Sequence, residues 1–325
     1  MRKIKIAEIQ NLLDLVLIRN GLTQKDAKIV SEDFVAGELS GHKSHGLMAF
    51  PSLILKKRIK KNAKIKIEKD GSVYSLINGG GSLGQVAAVN ARELVVKKAK
   101  KYGIAIVGCY NTTAFLRPGY QAQKIAEKKL IGIVAINGGK AAITPIGSIK
   151  AIFGTNPIGF AIPTKDYPIV ADFATAKKAW GEMRLAKFFG HKLPPETFLD
   201  KKGKFTLSPE LVESIIPFGG HKGYALALLV EILTGSLVKM PMGNKSGNLR
   251  GSLFVAIDPS KFTAYNNFIA KNTKLIKQIK NLKKEKGVKE IIIPGDRSYK
   301  NRKTIEQRGY FEIDEKVYRT IKSLL

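Results

Sequence analysis

Residues 72–111 read SVYSLINGGGSLGQVAAVNARELVVKKAKKYGIAIVGCYN, and the reading of this stretch decides the fold. An apolar run, Ser72 to Ile77, ends in a glycine cluster, Asn78 to Gly84. The cluster opens a segment carrying Val86, Val89, Leu94 and Val95 at helical spacing, and a second apolar run follows from Gly103 to Gly108. Gly79, Gly81 and Gly84 satisfy GxGxxG between a strand and a helix, as in a dinucleotide-binding βαβ unit. That unit also needs an acid about 20 residues on, at the end of its second strand, to hold the ribose hydroxyls. Here the second strand ends at Cys109, Tyr110 and Asn111, and no Asp or Glu occurs between Glu93 and Glu127. The glycines are therefore read as a tight strand-to-helix turn, and a Rossmann fold is set aside.

Upstream, Ile9, Leu12, Leu13, Val16 and Leu17 recur at helical spacing, and Thr23 with Asp26 forms a capping pair that opens a second helix toward Glu38. Downstream, a helix is expected over Gln121 to Lys129 and a strand over Ile131 to Ile136. The runs Ile158 to Ile162 and Tyr167 to Val170 leave no room for a helix between them, so they pair antiparallel or in a mixed sheet. An apolar helix from Lys222 to Leu237, a strand at Ser252 to Ile257 and a lysine-rich helix from Ala264 to Lys286 complete the pattern. The expected class is mixed α/β, with helices flanking a mixed β-sheet.

A chain of 325 residues with 44% hydrophobic content can bury a large core. Its formal charge of +30 raises the possibility of nucleic acid or another polyanion as partner. The lysines are scattered, however, and the enrichments at Lys56 to Lys69, Lys97 to Lys101 and Lys283 to Lys289 are not interleaved with aromatics as a base-stacking surface would be. Specific nucleic-acid binding is not expected, although weak, salt-sensitive binding to polyanions is. One cysteine, Cys109, excludes an intramolecular disulfide and suits a reducing cytoplasm. The four histidines lack metal-site spacing, so no metal is expected. The first 22 residues read as an amphipathic helix rather than a signal peptide, and no run of 18 apolar residues is present to span a membrane.

Four polar, glycine-punctuated islands stand between the apolar stretches: GHKSHG (Gly41 to Gly46), GTNP (Gly154 to Pro157), DFAT (Asp172 to Thr175) and GGHKGY (Gly219 to Tyr224). A site built on several loops has this appearance. In order and spacing the islands resemble the malate/L-lactate dehydrogenase-like family of NAD(P)-dependent oxidoreductases, from about Phe34 to Tyr310. The resemblance implies a non-Rossmann cofactor-binding domain, residues 71–239, and a helical domain formed by residues 1–70 with 240–325. It also implies a homodimer, a small carboxylate substrate, and NAD or NADP as cofactor. Ser44, His45 and Asp172 would form a proton relay in which the carboxylate fixes the imidazole tautomer and stabilises its cation. Lys222, His221, Asp172, Phe173, Ala174, Asn137, Gly295, Asp296 and Arg297 would bind the cofactor.

Two positions depart from the family pattern. An arginine expected four residues after the His of SHG is Ala49, and the NSxHxG histidine is Ala114 within Asn111 to Leu116. A methyl group can neither clamp a carboxylate nor shuttle a proton. Arg117, three residues beyond Ala114, is read as a relocated anion clamp, with Thr113 beside it as a substrate contact; Arg184 and Lys140 are alternatives. The expected reaction is hydride transfer between nicotinamide and C2 of a small 2-oxo or 2-hydroxy acid or a cyclic 2-imino acid. A dinucleotide-binding paralogue with impaired turnover and a polyanion- or RNA-binding protein on the same fold are the competing readings.

Overall fold

A computed structural model describes the whole chain except residues 56–58, 61–62 and 246, so the start of the Lys56 to Lys69 enrichment lies outside the described residues. The strands are β1 (Arg2–Lys5), β2 (Lys66–Asp70), β3 (Tyr74–Asn78), β4 (Ile104–Thr112), β5 (Ile131–Ile136), β6 (Ile158–Ile162), β7 (Ile169–Phe173), β8 (Phe198–Leu199), β9 (Phe205–Thr206), β10 (Ser214–Ile215), β11 (Arg250–Ile257) and β12 (Tyr310–Ile313). The α-helices are α1 (Ile6–Arg19), α2 (Gln24–Leu39), α3 (Pro51–Leu55), α4 (Gly84–Tyr102), α5 (Pro118–Ala126), α6 (Trp180–Phe189), α7 (His221–Thr234), α8 (Tyr265–Lys280), α9 (Asp296–Arg308) and α10 (Glu315–Lys322).

Among the described residues the main sheet has seven strands in the order β2-β3-β4-β11-β5-β6-β7. Its one parallel pair is β3–β4, joined by α4; the other neighbours are antiparallel. The decisive stretch is thus a single βαβ unit within a mixed sheet, not half of a doubly wound one. Alternation along the strands sends Ile77, Val107, Val134 and Phe254 into an apolar layer under α4 and α5. Leu76 and Leu253 point to the opposite face, where Val238 and residues following α7 cover them. Residues 113–117 connect the long strand β4, which ends at Thr112, to α5, which begins at Pro118.

The two N-terminal helices form as expected: Ile9, Leu13, Val16 and Leu17 are buried, and Thr23 Oγ1 accepts from Asp26 N at 3.1 Å. They pack with α10 around Phe34 and Phe50. The short β1–β12 ribbon, the three-stranded sheet β10-β8-β9 and helices α9 and α10 were not anticipated. Helix α8 stops at Lys280 rather than Lys286, and β7 extends to Phe173, so Asp172 lies inside a strand instead of after it. The sheet also crosses both expected domain limits, because β2 and β11 belong to it; β11 is its central strand. No described helix is long and apolar enough to cross a membrane.

Candidate active site

Three of the islands are joined by main-chain hydrogen bonds. Thr175 N donates to Thr155 O at 3.0 Å, joining DFAT to GTNP, and Phe218 N donates to Thr175 O at 3.1 Å, joining DFAT to the segment that opens α7. The first island approaches from α2. Gly37 has no Cβ, which would lie 2.8 Å from His45 O, so the loop folds back against its own helix. Glu38 then accepts from Leu47 N at 3.1 Å and holds it there. The sequence reading missed this carboxylate, because nothing in its spacing separates it from a solvated helix residue.

Ser44 Oγ lies 2.9 Å from His45 Nδ1, so the two neighbours do act as a pair, through a short 3₁₀ turn over Lys43–His45. A Cβ on Gly181 would lie 3.0 Å from Ser44 Cβ, so the pair faces the first turn of α6. Arg184, one turn further on the same side of α6, reaches His45 electrostatically. Burial, with the charges of Arg117, His42 and Arg184 behind it, pulls the His45 imidazole down to about 4. At neutral pH the ring is therefore uncharged.

Asp172 does not complete the expected relay. Its Oδ2 accepts from Gly119 N at 2.9 Å, and no hydrogen bond or ion pair links it to His45. The close approach depends on glycine: a Cβ on Gly119 would lie 2.5 Å from Asp172 Cβ, and one on Gly159 would lie 2.3 Å from Gly119 N. Desolvation by crowded surroundings raises the Asp172 carboxyl to about 7, against the Gly119 N–H and the Arg117 charge, with Asp33 pushing the same way as burial. The side chain opens into a cleft, so water there relieves part of that penalty until a ligand displaces it.

Four expected contacts are engaged inside the protein instead. Arg117 is 5% exposed and its Nη2 donates to Asp33, to the carboxylate at 2.9 Å and to the main-chain oxygen, so it is not an open anion clamp. Thr113 is buried and its Oγ1 accepts from Gly84 N at 3.0 Å at the start of α4. Asn137 is buried; it donates to Glu231 Oε2 at 3.2 Å and accepts from Gly139 N at 2.6 Å. Asp296 is 2% exposed and accepts from Tyr167 Oη at 2.6 Å, from Lys280 Nζ at 2.8 Å and from Ile293 N at 3.1 Å. It anchors the Pro294–Gly295 turn to α8 and to the stacked pair Tyr167–Tyr299, and points away from the site.

A cleft of about 730 Å³ lies between α5, β7 and the start of α9. Its walls carry Tyr120, Phe160, Asp172, Phe173, Gly295 and Arg297, and on the opposite lip His42, whose Nε2 lies 3.2 Å from Ser298 Oγ. Ser44 and His45 are not in its lining; Arg117 borders the cleft and its charge also reaches His45. Lys222 and His221 stand exposed on the first turn of α7, beyond the cleft, connected to it by the edge contact of Phe218 with Phe173 at 5.9 Å. Ala174 packs instead against the apolar cluster that includes Ile143, Phe198 and Ile215.

Residues 4–322 match the malate/L-lactate dehydrogenase family. The malate/(S)-sulfolactate dehydrogenase of Methanothermus fervidus is 36% identical over 98% of this chain and 95% of its own length. A Δ1-pyrroline-2-carboxylate/Δ1-piperideine-2-carboxylate reductase of Pseudomonas putida is 28% identical over 99% and 97%. The solved sulfolactate dehydrogenase of Methanocaldococcus jannaschii superimposes with a TM-score of 0.90 at 34% identity, covering 99% of this chain and 96% of that one. The matched family and these relatives, dehydrogenases and a reductase, set the class as an oxidoreductase. The chain belongs to the malate/L-lactate dehydrogenase family.

Dehydrogenases of this family use nicotinamide cofactors, and the residues present fit one. The cleft offers aromatic walls for flat rings and an exposed Arg297 for phosphate. Gly295, at φ 99°, brings the main chain to Val170, where a Cβ would lie 3.0 Å from Val170 N. Lys222 adds a cation, with no ion pair among the described residues, at the N-terminal end of a 14-residue helix.

Proposed function

We propose that the protein is an NAD(P)-dependent dehydrogenase or reductase that moves a hydride between nicotinamide and C2 of a small 2-oxo or 2-hydroxy acid or a cyclic 2-imino acid. The observation that carries this reading is the uncharged His45, fixed through Nδ1 by Ser44 and surrounded by arginine charge. Phe173, Gly295, Arg297, Lys222 and His221 would hold the dinucleotide, which supplies the hydride when bound. Nε2 of His45 has no hydrogen-bond partner among the described residues and is the atom through which a proton passes to or from the substrate oxygen or nitrogen. A neutral imidazole is ready to accept the proton of an alcohol. In the reductive direction the substrate's own carboxylate, placed beside the ring, favours the imidazolium that must donate.

Arg184, whose charge reaches His45 and which lies on the same side of α6 as the Gly181 contact with Ser44, is the residue we assign to the substrate carboxylate. The relatives support the substrate class by their names, since they act on hydroxy acids and a cyclic imino acid. Exposed Leu228, Leu229, Ile232 and Leu237 give the α7 side an apolar face that a second copy of the chain would cover, in keeping with a homodimer. The single cysteine, Cys109, is buried and its thiol is pushed up to about 12, so it stays protonated and is assigned no part in the reaction. The test is a screen of 2-oxo, 2-hydroxy and imino acids for oxidation or reduction of each nicotinamide. Turnover with none of them, while dinucleotide still binds, favours an impaired paralogue, a reading that Ala49 and Ala114 support.

A further inference from the structure

The turn that lost its histidine is held by a device of its own. Leu116 has φ 51°, a left-handed conformation costly for a branched apolar side chain, and such strain persists only where the surroundings enforce it. Arg117 N donates across it to Phe115 O. The guanidinium is buried, spends Nη2 on Asp33 of α2, keeps Nε without a partner and lies 4.7 Å from the Tyr120 ring centre. A buried ion pair is a weak source of stability, because desolvation cancels most of the attraction, so its use lies elsewhere. Two residues later Gly119 is wedged between Gly159 and Asp172, and its N–H reaches the Asp172 carboxylate; any shift of the turn is passed to that group.

We propose that Arg117 and Asp33 are a positioning pair that sets the turn from Ala114 to Gly119 and, through the Gly119 N–H, the carboxylate of Asp172. Neither residue needs to touch substrate. Asp33 has taken Arg117 out of solvent contact and made it part of the frame on which the cleft wall stands. The proposal rests on reading Asp172 as a site residue, and it is tested by a readout that does not depend on turnover.

Replacing both residues, Arg117→Leu with Asp33→Leu, removes two buried charges together and should keep the thermal midpoint near that of the parent, whereas either change alone lowers it. Asp172 is then followed by ¹³Cγ NMR of protein labelled at aspartate, its resonance identified by loss in Asp172→Asn. The charged groups facing Asp172 are Arg117 and Asp33, with His42 and Arg297 across the cleft. In the double variant the Asp172 titration should move upward, since the Arg117 charge that lowers it outweighs the Asp33 charge that raises it. On an active enzyme kcat should fall between about tenfold and a hundredfold, and the cofactor Kd should rise with it, because the same wall faces the dinucleotide. A double variant with parental midpoint, unchanged Asp172 titration and unchanged kcat overturns the proposal. If the double variant does not fold, Asp33→Asn decides: with the hold on Arg117 loosened the Gly119 N–H withdraws and the Asp172 titration should move upward, whereas loss of the Asp33 charge alone would move it downward; a downward or unmoved titration overturns the pair's role. Absence of turnover in the parent protein counts against the proposed activity, while the NMR result still decides the positioning.

Discussion

His45 and Gly119 are the two residues whose replacement separates chemistry from architecture. His45→Ala removes the proton-exchanging nitrogen and should lower kcat by about two to four orders of magnitude, with the dinucleotide Kd within about twofold of the parent. A kcat within a factor of a few of the parent would remove His45 from the mechanism. Gly119→Ala forces a methyl group to within 2.5 Å of Asp172 Cβ and 2.9 Å of its carboxylate, and should disturb the cleft wall and both binding and turnover, because Asp172 is fixed on a strand. Arg184→Ala should raise KM for carboxylate substrates with little change in cofactor affinity.

Among the elements, α7 carries two loads on opposite sides. Inward, Glu231 accepts from Asn156 Nδ2 at 2.7 Å, from Asn137 Nδ2 and from Gly243 N at 2.8 Å, tying the GTNP turn to the helix. Glu231→Ala leaves those donors buried and should cost about 3 kcal/mol in urea unfolding; a loss within experimental error would mean the network is dispensable. Outward, Leu229→Glu should shift the protein toward monomer in sedimentation, and an unchanged dimer would place the contact on another face.

Legibility followed element type. The long apolar or amphipathic segments, α1, α2, α4 and the strands β5 and β6, were readable because their periodicity reports a buried face. Helix α9, DRSYKNRKTIEQR, has no apolar stripe to read, and β1, β12 and the strands β8 to β10 are too short for any period to emerge. Ser44 and His45, read as a pair from their adjacency before Gly46, do lie within hydrogen-bonding distance. The roles of Arg117, Thr113, Asn137 and Asp296 were not readable, since each is a polar residue whose partner, whether Asp33, Gly84, Glu231 or Lys280, lies far away in sequence. Whether a polar side chain faces a ligand or completes a buried bond is decided by tertiary packing, which spacing does not encode.

For the whole molecule, the site groups leave opposite marks on stability. His45, lowered in the folded state, contributes stability that is present above its ordinary value of 6.5 and is lost as pH falls through about 4. Asp172, raised, contributes stability that is present below 3.8 and is lost as pH rises through about 7. The thermal midpoint of Asp172→Asn should therefore gain on the parent as pH rises from 4 toward 7, and a constant difference would place the carboxylate in open water. The charge of +30 acts on association: heparin or RNA should bind weakly and release steeply with salt, whereas a dinucleotide seated in a cleft with aromatic walls should not.

The most direct measurement is a calorimetric titration with NADH and NADPH at low and moderate salt, with RNA as a parallel ligand. Saturable binding of a dinucleotide that survives moderate salt, while RNA binding fades, is what a nicotinamide-dependent oxidoreductase predicts. Dinucleotide binding that disappears with salt, or binding of RNA alone, would contradict it.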